Sequence, residues 1–505
     1  MSYQPTSPGL VAGTGCVQLA AAIRSRKISV TEVMEAHLDR VARRNGTIGA
    51  IIHPASDVLQ QAAAADRALA RGDRVGPLHG VPFTVKDTLA VAGYPATAGS
   101  AALAGYLPKQ TAPVVRRILD AGAILLGKAN CSEFAVDTHA GNLLFGDTRN
   151  PLDEDRTPGG SSGGDAAAVA SGMAAFGLGT DFGGSVRWPA HCTGVASFRP
   201  TIGRLPGTGI LPYDTTQAVG PPNSSSVLHR YMTAGPIAWT VADLELLTSI
   251  MAGPDGQDQQ VSPTPIPPAD SVDPTSLRVA WCEGEGTVPV RADVRGVIAA
   301  AAEQLRSAVG AVRHHRPPRL EEAADLFVQL RDLEGLPEVS QIIRRSSAAV
   351  SEGITAYLGA TAAGLAALSA VDYAATVLEL TTRRDAVRAA VLTFMEEWPV
   401  LLLPVASVTA PIIGTTSALI NGQQVPWSSL GSCCRAISIL ALPAAVVPFG
   451  TGDDGMPVGV QVVGRPFHDH EVLAVAQQLE VRRDQLPPGP ALAAVGASHQ
   501  GGLSR

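Results

Sequence analysis

Apolar and polar positions along this chain switch repeatedly between a helical period and short apolar runs, and the switches outline a series of elements. Ser29-Val30-Thr31-Glu32 is a capping box, and Val33, Ala36, Leu38 and Val41 follow it on an amphipathic helix that runs toward Asn45-Gly46. An alanine-rich helical pattern runs from Gln60 to Arg71 and ends before Gly72-Asp73. Gly80 to Val85 reads as a buried strand that delivers Lys86 to its end. Thr111 to Ala121 is helical, and Ala123 to Leu126 is a short buried strand ending at Gly127-Lys128. Asp165 to Phe176 predicts a helix of small and apolar residues, and Gly177 to Thr180 an apolar strand.

Beyond Pro200 the pattern loosens. Gly207 to Gly235 is rich in Gly, Pro, Ser and Thr and predicts long loops, with a helix from Thr240 to Met251 and a Pro/Asp/Gln-rich surface loop from Ala252 to Thr275. Leu277 to Trp281 reads as a strand, Ala292 to Val309 as a helix, and several helices follow between Leu320 and Trp398. Pro399 to Pro404, Ala445 to Pro448 and Gly459 to Gly464 read as buried strands, and Glu471 to Glu480 as a closing helix. Strands alternate with helices and no repeat is visible, which favours one α/β layered domain over residues 1–485 and a loose tail over 486–505.

Composition narrows the class. With 46% hydrophobic and 16% charged residues, the 505-residue chain can bury a substantial core. A net charge of −7 leaves no electrostatic footprint for nucleic acid. The N-terminal MSYQPTSPGLVAGTG lacks the basic start and apolar run of a signal peptide, and Trp398 to Gly414 is broken by prolines, so no membrane partner and a cytoplasmic location are expected. Six cysteines without a C-x-x-C pattern read as reduced structural thiols. Only Lys27, Lys86, Lys109 and Lys128 are lysines, so arginine carries nearly all the positive charge. That bias singles out Lys86, because lysine can lose its proton near neutral pH and arginine cannot.

Thr157 to Pro200 concentrates the chemistry. Gly159-Gly160-Ser161-Ser162-Gly163-Gly164 has the composition of a flexible linker, but it runs straight into an apolar helix and strand. Its glycines instead allow close backbone approach at a helix N-terminus. In Asp181-Phe182-Gly183-Gly184-Ser185, two glycines before a serine permit a turn with inward N–H groups, as an oxyanion hole requires. Asp181 and Arg187 flank that turn with opposite charges and are expected to pair. Two competing motifs fail. Gly160 to Gly164 fits the G-x-S-x-G elbow with Ser162 as nucleophile, yet a charged loop and Pro158 replace the strand it needs, and His468 and His470 sit in a polar turn. Gly122 to Lys128 approaches a phosphate-binding loop, but Ala129 replaces the required hydroxyl and the interior is strand-like.

G-G-S-S-G-G followed by G-T-D-x-G-G-S-x-R-x-P-A, together with Lys86, resembles the amidase signature family, as do Leu442-Pro443-Ala444 and Gly455 to Gln461. The resemblance covers roughly residues 20–250 and 397–480. It implies a single large α/β/α layered domain around a central mixed β-sheet, with a core at about 60–205, a variable pocket region at about 206–396 and a return to the sheet at about 397–480. It also implies that Ser185 is the acylated nucleophile, Lys86 the base, and Ser161 a proton relay on a cis peptide bond. The N–H groups of Phe182, Gly183, Gly184 and Ser185 would hold the oxyanion, and neither cofactor nor metal is required. Burial beside the serines would lower the lysine from its usual value of about 10.4 far enough to leave a neutral amine.

The sequence departs from the family pattern at Ser197-Phe198-Arg199, at Ser438 and Ala441, and at Asp137, where a small glycine is common. Asp137 is a candidate contact to a polar or cationic substrate, and Trp188 and Tyr213 are candidate apolar walls. Loops around 131–145, 205–235 and 320–390 are expected to line the pocket. The expected activity is hydrolysis of a small carboxamide to an acid plus ammonia or amine, with a homodimer left open. The rivals are the glutaminase subunit of an amidotransferase, which needs partner chains, and a binding protein that keeps the fold without turnover.

Overall fold

Ser29 accepts a hydrogen bond from the backbone N–H of Glu32, and the Glu32 carboxylate accepts one from the N–H of Ser29. This capping box opens the helix Val30–Ile48, which stops at Gly49 in the left-handed conformation. The computed structural model describes residues 13–213, 215 and 226–483. The expected loose tail lies outside the described residues.

Apart from two short two-stranded sheets, the strands converge on one sheet of 11. In chain order these are β1 (Ile51–Pro54), β2 (Pro82–Lys86), β3 (Ile124–Ala129), β4 (Phe176–Asp181), β5 (Ala196–Arg199) and β6 (Thr233–Ala238). Then come β7 (Arg278–Trp281), β8 (Ala311–His314), β9 (Val400–Pro404), β10 (Ala444–Thr451) and β11 (Pro457–Gly464). Their spatial order is β1-β3-β2-β4-β6-β5-β10-β11-β9-β7-β8. β3, β2 and β4 run parallel, β4 to β9 alternate in direction, and β9, β7 and β8 are parallel again, so the sheet is mixed as expected. Both halves of the chain therefore build one sheet, and the C-terminal strands complete it beside the strands of the central motif.

The helix that follows the double serine, Gly163–Ala170, lies directly on β4. It can do so because β4 offers glycines there: a Cβ on Gly177 would come within 2.7 Å of Asp165 Cβ, and one on Gly179 within 2.6 Å of Ser162 Oγ. This helix ends earlier than its composition suggests, because Gly172 takes a positive φ of 72° and turns the chain into β4. The expected loop up to Gly235 also contains structure, a short helix Val227–Tyr231 and the start of β6. Gly235 and Pro236 disguise β6, which is buried along its whole length between β4 and β5. Among the described residues no single helix is long and apolar enough to cross a membrane. Only Glu352–Ala366 and Ala370–Glu397 reach that combination together, and the two are bent by 111°.

Candidate active site

Parallel pairing brings the site together. β2 and β4 are neighbours with Val85 opposite Leu178, so Lys86 and the Thr180-Asp181 pair leave the sheet at the same edge. Lys86 is fully buried, and its Nζ donates to Ser161 Oγ at 2.6 Å and to Thr180 Oγ1 at 2.9 Å. Neither partner is an anion. Burial therefore pushes the lysine down to about 8, with Cys131, Asp165 and Asp181 pulling weakly the other way. Asp165, on the first turn of the overlying helix, is buried too; its Oδ1 accepts from Thr84 Oγ1 at 2.8 Å, and burial raises it to about 7.

Every residue from Thr157 to Asp181 is buried, which excludes a linker. The Gly160–Ser161 peptide bond is cis. Ser162 ties this loop to its surroundings: its N–H donates to the carbonyl of Ser185 at 3.1 Å, and its Oγ exchanges hydrogen bonds with the backbone of Thr180 at 3.3 Å. That commitment leaves Ser162 unsuited to the elbow role, and His468 is engaged with Glu471 at 3.0 Å. His468, His470 and Glu471 bring three potential metal-ligand atoms within 4.8 Å of one another, but Arg465 donates to both oxygens of that glutamate.

Ser185 is half-buried at the end of a turn organised by Asp181. Arg187 grips the Asp181 carboxylate through Nη2 at 2.9 Å and Nε at 3.0 Å, so the expected pair is present. Arg187 continues to Gln461 Oε1 and to Ser438 Oγ, each at 2.6 Å, so the serine at position 438 still serves this network. Arg199 donates to the Asp181 carbonyl at 2.6 Å and lies 3.5 Å from its carboxylate. Burial alone would raise Asp181, but the two guanidiniums and two backbone N–H groups hold it far below the usual carboxylate range. One of those N–H groups belongs to Gly184, which gives it to Asp181 Oδ1 at 2.9 Å. Gly184 is thus removed from the expected oxyanion donors. Among the described residues no acceptor takes the N–H groups of Phe182, Gly183 or Ser185.

The turn opens into a cleft of about 820 Å³, including the solvent at its mouth. Ser185, Gly183, Asp137 and Trp188 all line it, as do Phe134, Phe182, Leu228 and Leu336. Tyr213 does not. It is buried in a cluster with Phe134 and Leu228, with its hydroxyl 2.9 Å from that of Tyr106, and so stands behind the wall. Phe327, Arg331, Trp427 and Arg435 line the cleft as well. The last two belong to a segment expected only to complete the sheet. Thr180 carries no signal of its own in Gly-Thr-Asp, because its role depends on strand register.

The family model described as Amidase matches residues 32–473. The chain is 34% identical to an indoleacetamide hydrolase of Bradyrhizobium diazoefficiens, over 92% of this chain and 86% of that protein. It is 32% identical to a glutamyl-tRNA(Gln) amidotransferase subunit of Chloroflexus aggregans, over 90% of this chain and 93% of the other. Among solved structures, a bacterial aryl acylamidase of the amidase signature enzymes superposes with a TM-score of 0.83 at 25% identity, covering 98% of this chain and all of the other.

Proposed function

The chain belongs to the amidase signature family and hydrolyses amides, and on that premise we propose that it cuts the C–N bond of a small carboxamide through an acyl-enzyme on Ser185. The observation that carries this reading is the buried Lys86 Nζ, 2.6 Å from Ser161 Oγ with no carboxylate among the described residues bonded to it. A neutral Lys86 takes the proton of Ser161 while Ser161 takes that of Ser185, whose Oγ attacks the amide carbon. The carbonyl oxygen becomes an oxyanion, received by the free N–H groups of Phe182, Gly183 and Ser185. The proton returns through the same relay to the leaving nitrogen, the C–N bond breaks, and ammonia or an amine departs. Water then attacks the acyl-enzyme by the same route and releases the acid. Asp181 and Arg187 fix the turn and touch no reacting atom.

Six buried cysteines without a disulfide accord with a cytoplasmic enzyme, and a homodimer is its proposed assembly. The likeness to one chain of an amidotransferase supports a second reading, a glutaminase that works with partner chains. The aromatic cleft favours the first. The test is peptide mapping after a small neutral fluorophosphonate, followed by an amide screen. The expected result is one adduct, on Ser185, lost in Ser185→Ala together with amide hydrolysis. An adduct on Ser162, or none, contradicts the mechanism; hydrolysis of glutamine alone, and only with copurified chains, favours the second reading.

A further inference from the structure

Four arginines are buried among the described residues, and three of them donate to a carboxylate or a backbone carbonyl. Arg187 holds Asp181 at 2.9 Å, Arg199 donates to the Asp181 carbonyl at 2.6 Å, and Arg204 donates to Asp469 at 3.1 Å. The fourth, Arg435, is 9% exposed on the helix Ser432–Ile439 and faces the cleft. Among the described residues its guanidinium reaches no carboxylate and no carbonyl at hydrogen-bonding distance. The charges nearest to it, Arg331 and Asp332, pair with each other at 2.7 Å. Burial pushes Arg435 down to about 10, so it remains a cation at neutral pH.

This cation sits close to the chemistry. Its guanidinium is 5.9 Å from the centre of the Phe327 ring, and Phe327 packs on Phe182, the first residue of the nucleophile turn, at 4.7 Å. The preceding residue, Cys434, presses on the same turn: a Cβ on Gly184, whose φ is 121°, would meet Cys434 Cβ at 2.7 Å. Arg435 therefore stands about one aromatic ring away from the Ser185 turn, on a wall it shares with Phe327, Trp427 and the Asp332-paired Arg331. Burying a cation without a partner destabilises a fold, and a planar guanidinium with five free donors matches a carboxylate in two-point geometry. The cleft's own carboxylate, Asp137, already accepts the N–H of Thr138 at 2.6 Å.

We propose that Arg435 is a specificity residue that binds a carboxylate on the acyl part of the substrate, so that the amides turned over are anionic aryl or similarly apolar carboxamides. This rests on the assignment of Ser185 as nucleophile. The experiment uses the full chain carrying Ser185→Ala, so that binding is read without turnover, and titrates 4-carbamoylbenzoate and benzamide by calorimetry. The expected result is at least tenfold tighter binding of 4-carbamoylbenzoate. Adding Arg435→Met should bring the two ligands within threefold of each other, whereas Arg435→Lys should keep part of the preference.

Arg435→Met should also raise the melting temperature, because it removes an unpaired buried charge; an arginine with only a structural role would lower it. Equal affinities for the two ligands, or a preference that survives Arg435→Met, would overturn the assignment. Fluorophosphonate labelling of the otherwise unmodified chain separates the two claims. Ser185 labelled without a carboxylate preference defeats the Arg435 proposal alone. A carboxylate preference without any labelling of Ser185 defeats the nucleophile and leaves Arg435 as an anion site.

Discussion

Two lysines lie within one residue of the ends of adjacent parallel strands, both fully buried, and they have opposite surroundings. Lys128 on β3 faces Asp87 at 3.4 Å and donates to the Leu89 carbonyl at 2.8 Å. Lys86 on β2 faces two hydroxyls and, among the described residues, no carboxylate within bonding distance. Burial lowers both, but Asp87 supports the charged form of Lys128 directly, through both its charge and a hydrogen bond, whereas Lys86 drops to about 8. A buried lysine becomes a base when its partners can accept or pass on a proton but cannot neutralise its charge. The same residue beside a carboxylate becomes a strut.

Exchanging each lysine for a neutral side chain sharpens that contrast. Lys86→Met should slow fluorophosphonate labelling of Ser185 by about a thousandfold, in the range of lost general-base catalysis, while denaturant midpoints hold or rise. Lys128→Met should do the reverse. Labelling in the folded protein should stay within a few-fold of wild type, but unfolding free energy should fall by about 3–5 kcal/mol, because Asp87 is left buried and unpaired. If Lys128→Met abolished labelling without loss of stability, the two lysines would have been assigned the wrong way round.

The smallest effect concerns Asp165, whose negative charge helps Lys86 keep its proton. Asp165→Asn retains an acceptor for Thr84 and removes the charge, so the acid limb of the labelling profile should move to lower pH. A shift to higher pH would mean that Asp165 does not act on Lys86 through its charge.

How much of this was legible follows the distance between partners along the chain. Ser161, Ser185, Asp181 and Arg187 lie in one continuous stretch whose glycines announce turns, and Lys86 stood out because the chain otherwise uses arginine. Local residues could not reveal that Gly184 gives its N–H to Asp181, since both belong to one turn and only geometry separates donor from strut. β6 was hidden because a strand buried on all sides tolerates Gly235 and Pro236 where a half-exposed one would show alternation. Tyr213 stands one layer behind the wall the sequence suggests for it, since a tyrosine within a Gly/Pro-rich run reads alike in a wall or behind it. Arg435 gave a faint signal, a charge inside the apolar run Ser432–Ile439, but its meaning depends on Phe327 and Gly184, which come from distant parts of the chain.

The central claim is that Lys86 acts as a neutral amine, and the pH dependence of Ser185 acylation by a neutral fluorophosphonate tests it most directly. Only the deprotonated fraction of Lys86 can accept a proton, so that fraction grows as pH rises toward its lowered value of about 8. The labelling rate should therefore climb about tenfold per pH unit between pH 6 and 7.5 and level off above about 8.5, and this dependence should vanish in Lys86→Met. A wild-type rate that stays flat from pH 6 to 9, or a limb that survives intact in Lys86→Met, would contradict it.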